Sequence, residues 1–300
     1  MTEATTPWVR GRFDGRTGPS KVLFGRMYED VSVELGAFRP GGRVFCIASA
    51  GCTAMQLATQ HSVVAIDINR DQLDYAAARL AGRPAVRGTA ERVMGLFRAF
   101  GPLVGWTKRE VRAFVELDDP AAQAAIWRRH DTFRQRAAFD AVFSVSTLAR
   151  FYASHFLAFL PQHLGAVMRA RLARGFERHP NRTNTYVRAL LLGELSDDPP
   201  PPGANAVELV NGDAAQWLEQ APAGSFDGFT LSNILDGAGP DYRARLFAAV
   251  KHAAAPGALV VLRSFAEPTA PSATNRAAED RSMLWGVVDV RPVAALQVEG

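Results

Sequence analysis

Two rhythms of apolar and polar positions alternate along the chain, and the change from one to the other divides it. Residues 1–20, MTEATTPWVRGRFDGRTGPS, are polar and rich in Gly, Thr and Arg, and read as a flexible N-terminal arm. The next stretch, KVLFGRMYEDVSVELGAF, sets Val22, Leu23, Met27, Val31 and Leu35 at helical spacing, which predicts a helix ending at the break FRPGGR. RVFCIAS (43–49) is an apolar run of strand length. A short helix over 53–60 and a second buried strand, SVVAIDI (62–68), follow it. DQLDYAAARLAG (71–82) predicts an alanine-rich helix closed by Gly82.

From 83 to 204 the rhythm turns helical, with many arginines and aromatics, as in AAIWRRHDTFRQRAAF and FYASHFLAFLPQHLGAVMRARLARGF. The segment ends in SDDPPPPGAN, a stiff proline connector. Alternation then resumes. AVELVNG, SFDGFTLSNIL, ALVVLRSF and MLWGVVDVRPV read as strands, and DYRARLFAAVKHAAA as a helix. The expected architecture is a parallel-sheet α/β domain built from 21–82 and 205–300, interrupted by a helical insertion at 83–204.

Composition narrows the class. A hydrophobic content of 48% and a charged content of 21% are those of a soluble globular chain. The net charge of +4 permits anionic partners, but acidic residues are interspersed and no block of five like charges occurs, so no nucleic-acid partner is expected. Two cysteines, Cys46 and Cys52, exclude a disulfide scaffold and argue against a four-ligand zinc cluster; no metal is expected. With no secretory signal and no run of 18 apolar residues, a cytoplasmic location is expected.

Candidate chemistry gathers at the strand ends, where open α/β sheets bind ligands. After the first strand, Ser49, Ala50 and Gly51 are small enough for a backbone to approach a ligand, but G-x-G-x-x-G is absent and nothing seats a pyrophosphate. The second strand ends in Asp67, followed by Asn69; a carboxylate there can accept both ribose hydroxyls. The third ends in Gly212, Asp213 and Ala214, where Asp213 can accept from an adenine amino group or simply cap the next helix. The fourth ends in SNILDG, bringing Asn233 and Asp236 to the mouth. A nucleoside without phosphates fits this set, and S-adenosyl-L-methionine is the co-substrate expected. The residues leave open which carbon of its sulfonium reacts.

MYED (27–30), RVFCIASAGCTA (43–54), VVAIDIN (63–69), GSFDGFTLSNILDG (224–237), APGALVVLRSF (255–265) and EDRSMLWG (279–286), with NTYVRALLLGEL (184–195) as a looser match, resemble the adenosylmethionine-dependent 3-amino-3-carboxypropyl transferases. That family includes the diacylglycerol enzyme of betaine-lipid synthesis and isonocardicin synthase. The resemblance implies a Rossmann-like sheet of the class I methyltransferase type. It also implies transfer of the aminocarboxypropyl group to an oxygen, with 5′-methylthioadenosine released. The compact length favours the natural-product branch of antibiotic biosynthesis, whose acceptor is a phenol hydroxyl of a nocardicin-type β-lactam. Diacylglycerol, with peripheral membrane contact, is the alternative acceptor, and an ordinary methyltransferase is the alternative chemistry.

On this reading Asp236, Glu29 and Asp30 are candidate bases, with His155 and His163 in the insertion. Tyr28 joins the cofactor residues. Arg263 and Arg281 are candidates to grip the cofactor carboxylate, since a guanidinium can pair bidentately with it. Trp106, Trp127, Phe133, Phe151 and Phe156 offer the insertion either an apolar wall for the acceptor or an ordinary core.

Overall fold

A computed structural model describes residues 6–14, 16, 18–195 and 207–297. Six strands, β1 (Arg43–Ile47), β2 (Ser62–Asp67), β3 (Val207–Asn211), β4 (Phe226–Thr230), β5 (Ala254–Ser264) and β6 (Val287–Pro292), form one sheet in the order β3-β2-β1-β4-β5-β6. The first five run parallel and β6 pairs antiparallel with β5. Alternate residues of β1 serve opposite faces: Phe45 joins the core beneath Ala214–Gln220 and Pro240–Ala253, while Val44 and Cys46 join the other. Both faces are therefore apolar, which is why these strands read as unbroken hydrophobic runs. The chain is a Rossmann-like α/β protein, with the strand order reversing between β1 and β4.

The helical insertion has a core of its own, made of Phe114, Val115, Trp127, Leu172, Phe176 and Val187. Trp127 is thus core, Trp106 packs beside it, and Phe133 faces solvent. Helix Leu164–Phe176 is latched to the sheet by buried Arg171, whose guanidinium donates to the Leu284 carbonyl (2.6 Å) and the Phe265 carbonyl (2.8 Å). Close approach is possible because a β-carbon on Gly175 would lie 2.2 Å from Met283 Sδ. The connector SDDPPPPGAN lies outside the described residues.

Two stretches differ from the expectation. Of the helix predicted across 21–38, only Ser32–Ala37 is helical. Residues 22–30 instead cross the carboxyl end of the sheet without regular structure. Leu23, Met27 and Tyr28 are nonetheless buried, so the apolar spacing reports burial and not a helix. Side chains satisfy the backbone there: Gln72 Oε1 accepts from Leu23 N (2.8 Å), and Glu91 Oε2 from Gly25 N (2.8 Å). The N-terminal stretch expected as a flexible arm is folded over residues 6–14. Thr6 caps a 3-10 turn, Pro7–Arg10, and Phe13 is buried against Phe24, Tyr152 and Phe156.

Candidate functional site

The crevice lies where β1 and β4 part. Past β1 the chain turns through Ser49 (φ +42°) and Gly51 (φ +82°) into helix Cys52–Leu57; past β4 it turns through Ser232 (φ +52°). Left-handed backbone at two serines facing one crevice is uncommon, and such conformations concentrate at functional sites. The β2 end brings Asp67, whose Oδ1 accepts from Asn69 N (2.8 Å) and Oδ2 from Ser49 N (3.0 Å). Each oxygen keeps a lone pair, the arrangement two vicinal hydroxyls require. Burial pushes Asp67 up to about 6, against the pull of those two N–H groups. The β3 end is tied to β2 by Gly212 N, which donates to the Asp67 carbonyl (3.1 Å).

Between these ends lies a cavity walled by Ile47, Ile66 and Ile68 and by the polar strand-end residues. Ser49, Asp67, Asn69, Gly212, Asp213, Ala214 and Asn233, all predicted, line it. Asp213 has the capping role foreseen for it and also lines the cavity. It caps Ala214–Gln220 through Gln216 N (2.9 Å) and accepts from Tyr242 OH (2.7 Å), while facing the cavity. Ala50 and Gly51 lie behind the wall instead: Ala50 packs on Met27 and Cys52, and Gly51 backs onto Ala76.

Sequence reasoning missed Ser232, Trp8, Thr6, Phe24 and Tyr242, which also line the cavity. Thr6-Pro7 is a helix-start signal in an otherwise polar stretch, and Ser232 occupies the same post-strand position as Ser49. Trp8 stacks edge-on against Phe156 at 4.8 Å, and its Nε1 is buried with no partner among the described residues.

The remaining predicted residues fall outside the wall. Tyr28 is buried among Tyr186 and Ala189. Asp236 holds the loop after β4 to β5, accepting from Ser264 Oγ (2.6 Å), Phe265 N (3.1 Å) and Asn233 Nδ2 (3.2 Å). Burial raises its pKa. Three donors occupy the carboxylate, so in this geometry it positions Asn233. His155 packs on Phe156 at 4.4 Å with its carbonyl beside Gly237, and His163 is exposed.

Behind Ser232 the other predicted groups form one buried ionic cluster. Arg263, its side chain 0% exposed, pairs with Glu34 (2.5 and 3.0 Å) and Asp280 (3.2 Å), and donates to the Asp30 carbonyl (3.3 Å). Arg281 pairs bidentately with Asp30 (2.6 and 2.7 Å). Although burial acts to raise it, Asp30 is held below the usual carboxylate range by Arg281. Both guanidiniums expected at a cofactor carboxylate are thus committed to protein acids. Glu29 accepts from Ser232 Oγ and from no second donor among the described residues; burial pushes it up to about 7, against Arg263.

Comparison of the sequence with protein-family models and with curated proteins gives no match. Among solved structures the chain is similar to precorrin 8w decarboxylase from Methanobacterium thermoautotrophicum, with 10% identity and a TM-score of 0.32 over 78% of this chain. It spans 61% of that protein's length. It is also similar to the rRNA methyltransferase aviRa from Streptomyces viridochromogenes, with 14% identity and a TM-score of 0.34 over 89% of this chain and 84% of that one. These likenesses concern the fold alone. Among the described residues, no three His, Cys, Asp or Glu side chains are grouped to hold a metal ion, and no helix is long and apolar enough to cross a membrane.

Proposed function

We propose that the crevice binds S-adenosyl-L-methionine and that the protein transfers its 3-amino-3-carboxypropyl group to a phenol hydroxyl of a nocardicin-type β-lactam. The products are a homoseryl ether and 5′-methylthioadenosine. One observation carries the cofactor reading: Asp67 stands at the β2 end, each oxygen anchored by one backbone N–H, across the cavity from Asp213. The choice of carbon, and of a phenol as acceptor, rests on the sequence resemblance.

In this reaction the phenol oxygen attacks the γ-carbon in line with the carbon–sulfur bond. The bonding pair leaves to sulfur and cancels its charge, and the phenol proton passes to an acceptor at the mouth. The sulfonium supplies the activation, so the protein's part is alignment and exclusion of water. Asp67 and Asp213 fix the nucleoside, the isoleucine wall keeps it dry, and Asn233, held by Asp236, sits at the mouth.

Exposed apolar residues on the insertion favour a second acceptor. Leu96, Phe100, Leu103 and Phe133 all face solvent, and Phe133 is 85% exposed; such a surface suits contact with a bilayer and hence a diacylglycerol acceptor. One experiment separates the readings. The protein is incubated with S-adenosyl-L-methionine and either a 4-hydroxyphenyl β-lactam or diacylglycerol-bearing anionic vesicles. Methylthioadenosine with a homoseryl ether of the phenol is the expected outcome; the ether formed only on the lipid selects the second acceptor. Adenosylhomocysteine would mean methyl transfer and overturn the proposal.

A further inference from the structure

We infer that Glu29 and Ser232 together form the subsite for a primary ammonium group, the α-ammonium of the amino-acid end of the bound nucleoside. This deepens the reading of the crevice above and rests on it. Ser232 is the wall residue through which the ionic cluster meets the cavity. Its backbone is fixed on both sides, Leu231 N donating to the Val261 carbonyl (3.0 Å) and Arg263 N to the Ser232 carbonyl (2.8 Å). That holds the side chain at a left-handed turn (φ +52°).

The hydroxyl proton of Ser232 is taken up by Glu29 Oε1, with Asn233 Oδ1 a distant competitor at 3.4 Å. What the hydroxyl offers the cavity is therefore its lone pairs. A ligand group facing it must donate.

Charge says which donor. The cluster joins four carboxylates, Glu29, Asp30, Glu34 and Asp280, to two guanidiniums, Arg263 and Arg281. The excess is acidic, and Glu29 is the acid that reaches the wall residue Ser232. Glu34 takes Arg263 in a forked pair, so Glu29 is the acid left short. Its Oε2 has no hydrogen-bond partner among the described residues, lies 3.7 Å from Arg263 Nη1, and belongs to a residue only 6% exposed. An unmet acceptor at such depth is costly unless a cation compensates it. An ammonium donating to Ser232 Oγ, with the carboxylate directly behind, supplies that cation. The nucleoside's own sulfonium cannot, because it has no N–H or O–H to give.

The test is isothermal titration of wild type, Glu29→Gln and Ser232→Ala with S-adenosyl-L-methionine and with 5′-methylthioadenosine, which has the nucleoside but no amino acid. Each variant should weaken the first ligand about tenfold or more, as loss of a charge-assisted hydrogen bond does, and leave the second within about twofold. Binding of the first ligand at pH 7 should also release protons in wild type and not in Glu29→Gln. The groups facing Glu29 are Arg263, Glu34 and Asp280, with Cys46 beyond them. Equal losses for both ligands would make the pair merely structural, and no loss for either would remove it from the site; both overturn the inference. Wild type that binds neither ligand overturns the crevice reading and this subsite with it.

Discussion

Replacing Asp67 with Ala is expected to weaken S-adenosyl-L-methionine binding by about a hundredfold or more. Two ribose hydroxyls lose a charged acceptor, and each such bond contributes about 1.5–3 kcal/mol. Binding to the variant, measured by titration, should stay weak at every pH. Wild type should behave differently. Because Asp67 is pushed up to about 6, its affinity should be flat above that pH and fall by up to about tenfold per unit below it. Stability runs the other way. The folded-state pKa exceeds the ordinary value of 3.8, so the folded chain holds the proton more tightly, and this residue's contribution to stability declines as pH rises from about 4 to 6. An Asp67→Asn variant should therefore lose both the affinity and its pH dependence. Unchanged affinity would remove Asp67 from the site.

The second large effect is structural. Arg263→Met should destabilise the fold by about 3–5 kcal/mol, the range for stripping a buried acid of its partner. Glu34, Glu29 and Asp280 would all face one another without a cation. Burial already pushes Glu29 up to about 7 and raises Asp280, and both should rise further. Groups with raised folded-state values stabilise most at low pH and lose that contribution as pH rises through the folded value. The variant's deficit, read by denaturant melts, should thus be smaller at pH 5 than at pH 8. A deficit that does not change with pH would mean the carboxylates do not carry it.

The parts of the fold legible in the sequence are those with local causes. β1 and β2 announce themselves because both faces are buried, and a polar residue ending each run marks the crevice, as Ser49 and Asp67 do. Residues 22–30 were illegible for the converse reason. Their apolar spacing matches a helix, yet their backbone partners are Gln72 and Glu91, far along the chain. Arg263 is similar. An arginine near the end of a strand looks solvent-facing until Glu34, more than two hundred positions away, is brought against it. Trp8 was hidden by its surroundings, since one aromatic in a polar stretch shows no periodicity. Among the predicted cofactor residues, those at strand ends line the cavity except Ala50 and Gly51; those chosen by resemblance, Tyr28, Arg263 and Arg281, stand behind it.

The folded N-terminal stretch has a practical consequence. Residues 6–14 close one side of the cavity with Trp8 and clasp the insertion through Ala153, whose N–H donates to the Phe13 carbonyl (2.7 Å). Trimming the polar leader to tidy an expression vector would breach the cavity.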